Sequence, residues 1–437
     1  MMKKNISLFI LVLIAVSSTA QPRMIQVEEA IATTLKNNYD IQISKNDSLV
    51  TALNYSFRNA AFLPRLNASA SYLLNNNDQK QKLADGSDRS RKGIRSSNLN
   101  ASLQMNWILF DGLRMFITRD KLDELVKFSS LLIRTQIVQS ATDVLGVYYQ
   151  VVRQKQQLKA IAEQLQISEE RLKLAQFRLQ NGSGARPEVL QSQIDRNAQL
   201  SAQLTARLVL EQQKENLLRL MNVAAGQEFD VVDSIPINAG LSYAELSSLA
   251  EQGNPRLLSL QKNIDIAQLT LKERRAERWP VVSFTSAYNY NRQNNKAVVN
   301  PFSPLFNRNN GFNYGLTISI PILNNYENRR LTQQAQLDIQ FQKLLYESEK
   351  ATISLSVLNA YKNYRAQMAI LKLEEENIIL ARDNIRIIQE TYRLGAATFI
   401  QFREAQRSLE EAYNRLIGVR YNAKLAEIEL QRLKGGW

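Results

Sequence analysis

The sequence predicts a mixed fold: long antiparallel coiled-coil helices combined with β-strands of the transmembrane-barrel kind, built from two tandem copies of one unit. Three observations predict it. Apolar residues recur at alternating three- and four-residue steps over very long stretches. Shorter stretches alternate apolar with neutral polar side chains. Each pattern occurs twice, displaced by about 213 positions.

The heptad pattern is clearest from Leu371 to Leu433. Outbound, Leu371, Ile378, Ala381, Ile385, Ile388 and Tyr392 hold the seam, and Glu374 breaks it. Inbound, Phe402, Ala405, Leu409, Ala412, Leu416, Val419, Ala423, Ala426, Leu430 and Leu433 continue it. The spacing puts one apolar stripe on each of two antiparallel helices. Gly395 between them is suited to the positive φ that ends a helix. In the first copy Leu158, Ile161, Leu165, Ser168, Leu172, Ala175 and Leu179 stand where Leu371 through Tyr392 stand. Gly182 matches Gly395, Gln193 matches Gln406, and Leu220 matches Leu433.

Composition narrows the function classes. The 437 residues include only 15 Gly and 9 Pro, which suits long uninterrupted helices. Cysteine is absent, so no disulfide framework, thiolate metal site or cysteine nucleophile is possible. Histidine is absent too, which excludes Ser/His/Asp hydrolysis and His-ligated zinc. No enzyme is expected, and no cofactor or metal. The formal net charge of +14 suits solubility of long helices or contact with phosphate-bearing lipid. No basic motif interleaved with aromatics points to nucleic acid.

Residues 1–20 read as a secretory signal peptide: Lys3 and Lys4, an apolar run from Ile6 to Val16, then Ser18 and Ala20 before Gln21. The first repeat, 21–222, opens with a helical pattern from Met24 to Ala61, broken near Asn38 and closed by Pro64. Strands are expected over about 64–75 and 97–110. In the first, Leu66, Ala68, Ala70, Tyr72 and Leu74 alternate with Asn67, Ser69, Ser71 and Asn75; in the second, Leu99 to Leu109 alternate likewise with Asn, Ser and Gln. A linker covers 223–242, and the second repeat, 243–437, runs the same course, with strands over about 280–291 and 311–323. A neutral polar face opposite aromatics and aliphatics is the pattern of a transmembrane barrel with a wet lumen.

Four strands cannot close a barrel, and an open edge is not tolerated in lipid. Several chains must therefore pool their hairpins, and three would give about twelve strands. The stretch Asn75–Ser97, with Lys80, Lys82, Arg89, Arg91, Lys92 and Arg95, reads as a polar tip that is either solvated and mobile or in contact with lipid phosphates. Asp111 and Asn324 are suited to capping the long helices that follow. From Asp111 to Asn181 a continuous helix of about 71 residues would reach roughly 105 Å. Pro187 suits the first turn of the return helix.

The leader, the tandem order of helix, strand pair and long helical hairpin, the Phe110-Asp111-Gly112 turn and the glycine tips at Gly182 and Gly395 resemble the TolC-type outer-membrane efflux proteins. The resemblance covers 21–437. It implies a homotrimer: a twelve-strand β-barrel in the outer membrane continued by a twelve-helix α-barrel tunnel into the periplasm. It implies an exit duct of a tripartite efflux pump or type I secretion system, passing small molecules or peptides from an inner-membrane transporter and a periplasmic adaptor. The other reading, a periplasmic coiled-coil adaptor or scaffold that never enters the membrane, lacks any lipoyl-like module and leaves the alternating strands unexplained.

The same resemblance implies a gate at the tips. Tyr392 matches a tyrosine that ties the inner hairpin shut, and also lies on the heptad seam. Glu404 and Gln401 match two acidic positions at the entrance, so Glu404 is left to attract cations. Glu188 matches the tyrosine's acidic partner, and equally suits a helix first turn. Ala397 stands where the family's gating arginine would be, so a gate here must use other residues, with Arg393 and Arg403 as candidates. The adaptor-contact tips would be Gly182, Ser183, Gly184 and Ala185, with Leu394, Gly395, Ala396 and Ala397. Their alternative reading is a short turn between helices.

Overall fold

The structure, a computed structural model, describes residues 23–436. The signal peptide at 1–20 and Trp437 lie outside the described residues. In the first copy a short strand β1 (Arg23–Ile25) precedes helices α1 (Val27–Asn37) and α2 (Tyr39–Ser56). The hairpin β2 (Arg65–Lys82) and β3 (Asp88–Phe110) leads into α3 (Arg114–Gln180) and α4 (Arg186–Met221). After β4 (Phe229–Val231) the second copy repeats the order: α5 (Tyr243–Gly253), α6 (Pro255–Ala276), β5 (Val281–Asn295), β6 (Phe306–Ser319), α7 (Glu327–Arg393) and α8 (Phe399–Lys434). Both outbound helices have 67 residues and both return helices have 36. Among the described residues no helix is long and apolar enough to cross a membrane.

Two units divide the chain. One holds 23–47, 130–259 and 347–436; the other holds 48–129 and 260–346. In the second unit the four long strands form one antiparallel sheet in the order β2-β3-β5-β6. Directly opposed residues share a face, so the register sorts the side chains. One row carries Ala68, Leu103, Tyr288 and Phe312; a second carries Leu66 with Met105, and a third Trp107 with Phe284 and Leu316. The other face carries Ser71 with Asn100 and Asn291, Ser69 with Ser102 and Asn289, and Ser283 with Thr317. Strands β2 and β6 each leave one edge unpaired within the chain.

The first hairpin is longer than the alternation alone indicates. Pairing continues past Leu74 through Lys80↔Ser90 to Lys82↔Asp88, around a bulge in β3 opposite Asp78, whose carboxylate accepts from Gly93 N at 2.7 Å. Polar residues fill both faces there, so no period-2 contrast marks the strands, and the expected loop 75–97 is mostly ladder. The turn from strand to long helix puts two consecutive residues at positive φ in each copy: Gly112 (72°) and Leu113 (69°), then Asn325 (51°) and Tyr326 (61°). Asp111, nearly buried, accepts from Met115 N at 3.2 Å and so caps α3.

The helical unit preserves the duplication in its hydrogen bonds. Asn38 and Asn254 each separate a short helix from a longer one. Asn38 Oδ1 accepts from Asp40 N, and its Nδ2 donates to Leu220 O at 3.2 Å. Asn254 Oδ1 accepts from Arg256 N, and its Nδ2 donates to Leu433 O at 2.9 Å. One amide thus starts a helix and holds the end of the return helix. Asn254 is 7% exposed. Asn254→Ala orphans these buried groups and is expected to cost about 2–3 kcal/mol, read as a lower midpoint in thermal unfolding followed by circular dichroism.

One expectation changes here. Residues 23–25 form a strand, not the start of a helix, and pair in parallel with β4. The 223–242 stretch is strapped down. Val231 is fully buried, Lys155 Nζ reaches Asp230 at 2.6 Å, and the Tyr364 hydroxyl donates to Asn238 O. Three-residue strands carry too little pattern to be read from sequence.

Candidate functional site at the helical tips

Each tip closes with the same hydrogen-bonded turn. Ser183 N donates to Arg178 O and Gly182 N to Leu179 O; Ala396 N donates to Thr391 O and Gly395 N to Tyr392 O. Gly182 (φ 74°) and Gly395 (φ 82°) sit in the left-handed region. Gly184 is needed for another reason: a Cβ there would lie 2.8 Å from Leu179 N. Gly182, Ser183, Ala185, Gly395 and Ala396 are exposed, whereas Ala397 is buried. Among them stand exposed apolar side chains, Leu394 (78%) and Ile400 (76%).

Tyr392, fully buried at the end of α7, joins the second-copy hairpin α7–α8 to the first-copy hairpin α3–α4. Its hydroxyl donates to Glu188 Oε2 at 3.3 Å, its ring lies 5.3 Å from that of Phe402, and the Arg178 guanidinium sits 4.8 Å from its centroid. Glu188 also occupies the first turn of α4, where the helix dipole favours a carboxylate. Burial pushes the Tyr392 hydroxyl above its ordinary pKa; the Glu188 carboxylate adds to the rise and Arg178 opposes it.

A second arginine one heptad earlier does similar work. Arg171, 1% exposed, places its guanidinium 5.4 Å from the Phe399 ring and 6.0 Å from Phe402. It donates to Asp195 on α4 at 2.5 Å. Burial lowers its pKa and the Asp195 charge resists. Arg171 and Arg178 on α3 thus grip the three tip aromatics of α7–α8. Arg403 reaches the same Asp195 at 3.4 Å, tying α8 to α4, while among the described residues Arg393 pairs only with Glu390 in its own helix at 4.0 Å.

Gln401 stands in the first turn of α8 and is exposed. It forms a capping box with Thr398: Thr398 N donates to Gln401 Oε1 at 2.8 Å and Gln401 N to Thr398 Oγ1 at 3.2 Å. Glu404 is exposed and, among the described residues, its carboxylate has no ion pair. Sequence reasoning missed Arg171, Arg178 and two further ties. Gln389 Nε2 donates to Glu170 at 2.6 Å, and Tyr413 donates to Glu163 while accepting from Arg382 at 2.7 Å. Charged residues on a helix read as solvated surface, so no sequence signal separates these from their neighbours.

Burial raises six tyrosines of the helical unit: Tyr148, Tyr364, Tyr392, Tyr413 and Tyr421 shift up, and Tyr149 is pushed up to about 12. Unfolded tyrosine ionises near pH 10. A raised folded pKa contributes stability that is complete below the unfolded value and lost as pH rises through the folded one. The unfolding temperature is therefore expected to hold to about pH 10 and to fall between about 10 and 12, as phenolate absorbance rises. Tyr149→Phe should blunt the fall; a flat profile to the alkaline limit would contradict the burial.

A four-stranded sheet with one apolar and one neutral polar face stands in one chain with two long helical hairpins, the whole built as a tandem repeat. The family described as "Outer membrane efflux protein" matches residues 30–223 and 246–436, one match on each repeat, and the chain belongs to that family. Its place is the outer membrane. Outer membrane protein TolC of Vibrio cholerae is 22% identical over 386 residues, covering 86% of this chain and 83% of that protein. Alkaline protease secretion protein AprF of Pseudomonas aeruginosa is 22% identical over 93% of this chain and 85% of its own length. Cation efflux system protein CusC of Escherichia coli O157:H7 is 24% identical over 94% and 86%. Among solved structures, CusC superposes with a TM-score of 0.76 at 18% identity, covering 96% of each chain. The outer-membrane channel OprN gives 0.77 at 15% identity, covering 94% of this chain and 90% of its own.

Proposed function

We propose that three copies of the chain close one twelve-stranded barrel in the outer membrane, and that their twelve long helices form a tunnel on the periplasmic side. The duct passively conducts small molecules or peptides delivered by an inner-membrane transporter through a periplasmic adaptor. The observation that carries this reading is the four-stranded sheet with two free edges. In lipid those edges need partners, and further copies of the same sheet supply them. Trp107, which donates to Phe62 O at 2.8 Å, together with Phe116 and Trp279 places aromatics at the helix end of the apolar band, as an interfacial girdle requires. The names of the relatives speak of efflux and of protease secretion, both served by one kind of duct.

At the tips, Tyr392, Glu188, Arg171 and Arg178 hold the inner hairpin closed within a single chain, replacing the link that Ala397 cannot make. Arg403 adds a second tie, and Arg393 is free of that role. Glu404 lines the mouth and attracts cations, and exposed Leu394 and Ile400 among small residues receive the adaptor. Purified protein in planar bilayers should give a cation-preferring pore. Glu404→Gln should lower the cation-to-anion permeability ratio with conductance little changed. Absence of any pore would overturn the duct; unchanged selectivity would remove Glu404 from the mouth.

A further inference from the structure

The apolar face of the sheet ends on a pair of arginines that face each other. Along β5 the outward face runs from Val282 to Tyr290, about 26 Å at strand rise, close to the height of a membrane apolar band. Arg292 is the next outward position, directly opposite Leu99 on β3 and Arg308 on β6. Like charges opposed across a ladder are destabilising. Both side chains are exposed, and among the described residues neither has a carboxylate partner. The Arg292 guanidinium lies 5.7 Å from the Phe306 ring, whose apolar surface orients it. On the neighbouring hairpin the same outward face continues through Arg95, opposite Asn76, to Lys82. This stretch is paired strand, not a mobile loop, so its cations keep a fixed height above the apolar band.

We propose that Arg292 and Arg308, with Arg95 beside them, form a binding belt for the phosphate groups of lipid headgroups in the outer leaflet. The inference rests on the outer-membrane barrel reading, which puts the strand turns outside and the helices in the periplasm. A phosphate between the two guanidiniums turns a repulsive pair into two charge-assisted, fork-shaped contacts. A lipid source is favoured because the belt is continuous with the lipid-facing surface, whereas a free anion would need no apolar band beneath it. Each protomer carries one belt, so lipid would also fasten the barrel at a defined depth.

The test uses the full chain purified in mild detergent, titrated with phosphorylated lipid A and with the same lipid stripped of its phosphates. Tm and bound-lipid mass are read together. Phosphorylated lipid should raise Tm by several degrees and remain bound; stripped lipid should do neither. Arg292→Gln with Arg308→Gln should weaken binding about tenfold or more, with Tm in lipid-free detergent unchanged or raised, since the opposed charges are gone. Arg292→Lys with Arg308→Lys should fall between, keeping charge but not the fork. An equal response to stripped lipid, the same shift from inorganic phosphate, or a full response in the double Gln variant would overturn the belt. If that variant does not fold, Arg308→Gln alone decides by the same titration. Particle mass in the same samples separates the two readings: a one-chain particle fails the barrel, and a three-chain particle without a lipid response fails the belt.

Discussion

Phe402→Ala is expected to destabilise the helical unit by about 3–5 kcal/mol, the usual cost of emptying a fully buried aromatic site. Phe402 is 0% exposed in the first turn of α8, with the Tyr392 ring at 5.3 Å and the Arg171 guanidinium at 6.0 Å. Truncation leaves a cavity between the two hairpins and removes a ring that shields a buried charge. The tip cannot collapse to fill it, because Tyr392 is held by Glu188 and Arg171 by Asp195. Phe402→Leu keeps most of the volume and should cost much less. The check is thermal unfolding of both variants with proteolysis at the exposed tip around Leu394. Phe402→Ala should melt earlier and be cut faster. Wild-type behaviour in both assays would mean that the aromatic cluster does not hold the hairpins together.

Gly112→Ala is expected to be still more damaging, because it blocks the junction of sheet and helix. A Cβ at residue 112 would lie 2.4 Å from the Ala276 carbonyl oxygen and 2.8 Å from Trp279 Cβ. That oxygen already accepts from Trp279 N at 3.0 Å to end α6, so it cannot retreat without breaking the turn. Residue 112 also has φ of 72°, which costs an L-residue roughly 1–2 kcal/mol before any overlap. The second copy is a built-in control. Asn325 holds the matching left-handed position with φ of 51°, and asparagine tolerates it. Asn325→Gly should therefore be nearly neutral. Yield of folded protein from outer-membrane fractions is the readout: Gly112→Ala should be lost and Asn325→Gly retained. Equal recovery of Gly112→Ala would contradict the close approach.

The two copies differ in how plainly their sequences show their packing. In the second, Leu371, Ile378, Ala381 and Ile385 are buried as the heptad indicates, and Glu374 is no defect, since Arg415 meets its carboxylate at 3.1 Å. In the first, the buried line is Gln164, Ser168, Arg171 and Ala175, while Leu158, Ile161, Leu165 and Leu172 are only half-buried and Leu179 is exposed. This seam faces the other hairpin through polar groups, such as Gln406 Nε2 donating to Ser168 Oγ at 2.7 Å. Apolar periodicity cannot reveal a polar seam. The strands are legible wherever Leu and Tyr alternate with Asn and Ser, and illegible beyond Leu74, where both faces are polar. Tyr392 and Glu188 come from family resemblance. Arg171 and Arg178 emerge only from the structure, because a buried arginine is written like a surface one.

The pooled barrel is tested most directly by counting chains. Protein extracted from outer-membrane fractions in mild detergent is weighed by light scattering corrected for bound detergent. A particle of three chains is the predicted result, since only shared hairpins satisfy the free edges of β2 and β6. A stable monomer in the same fraction would contradict it, for it would leave a four-stranded sheet with two open edges in lipid.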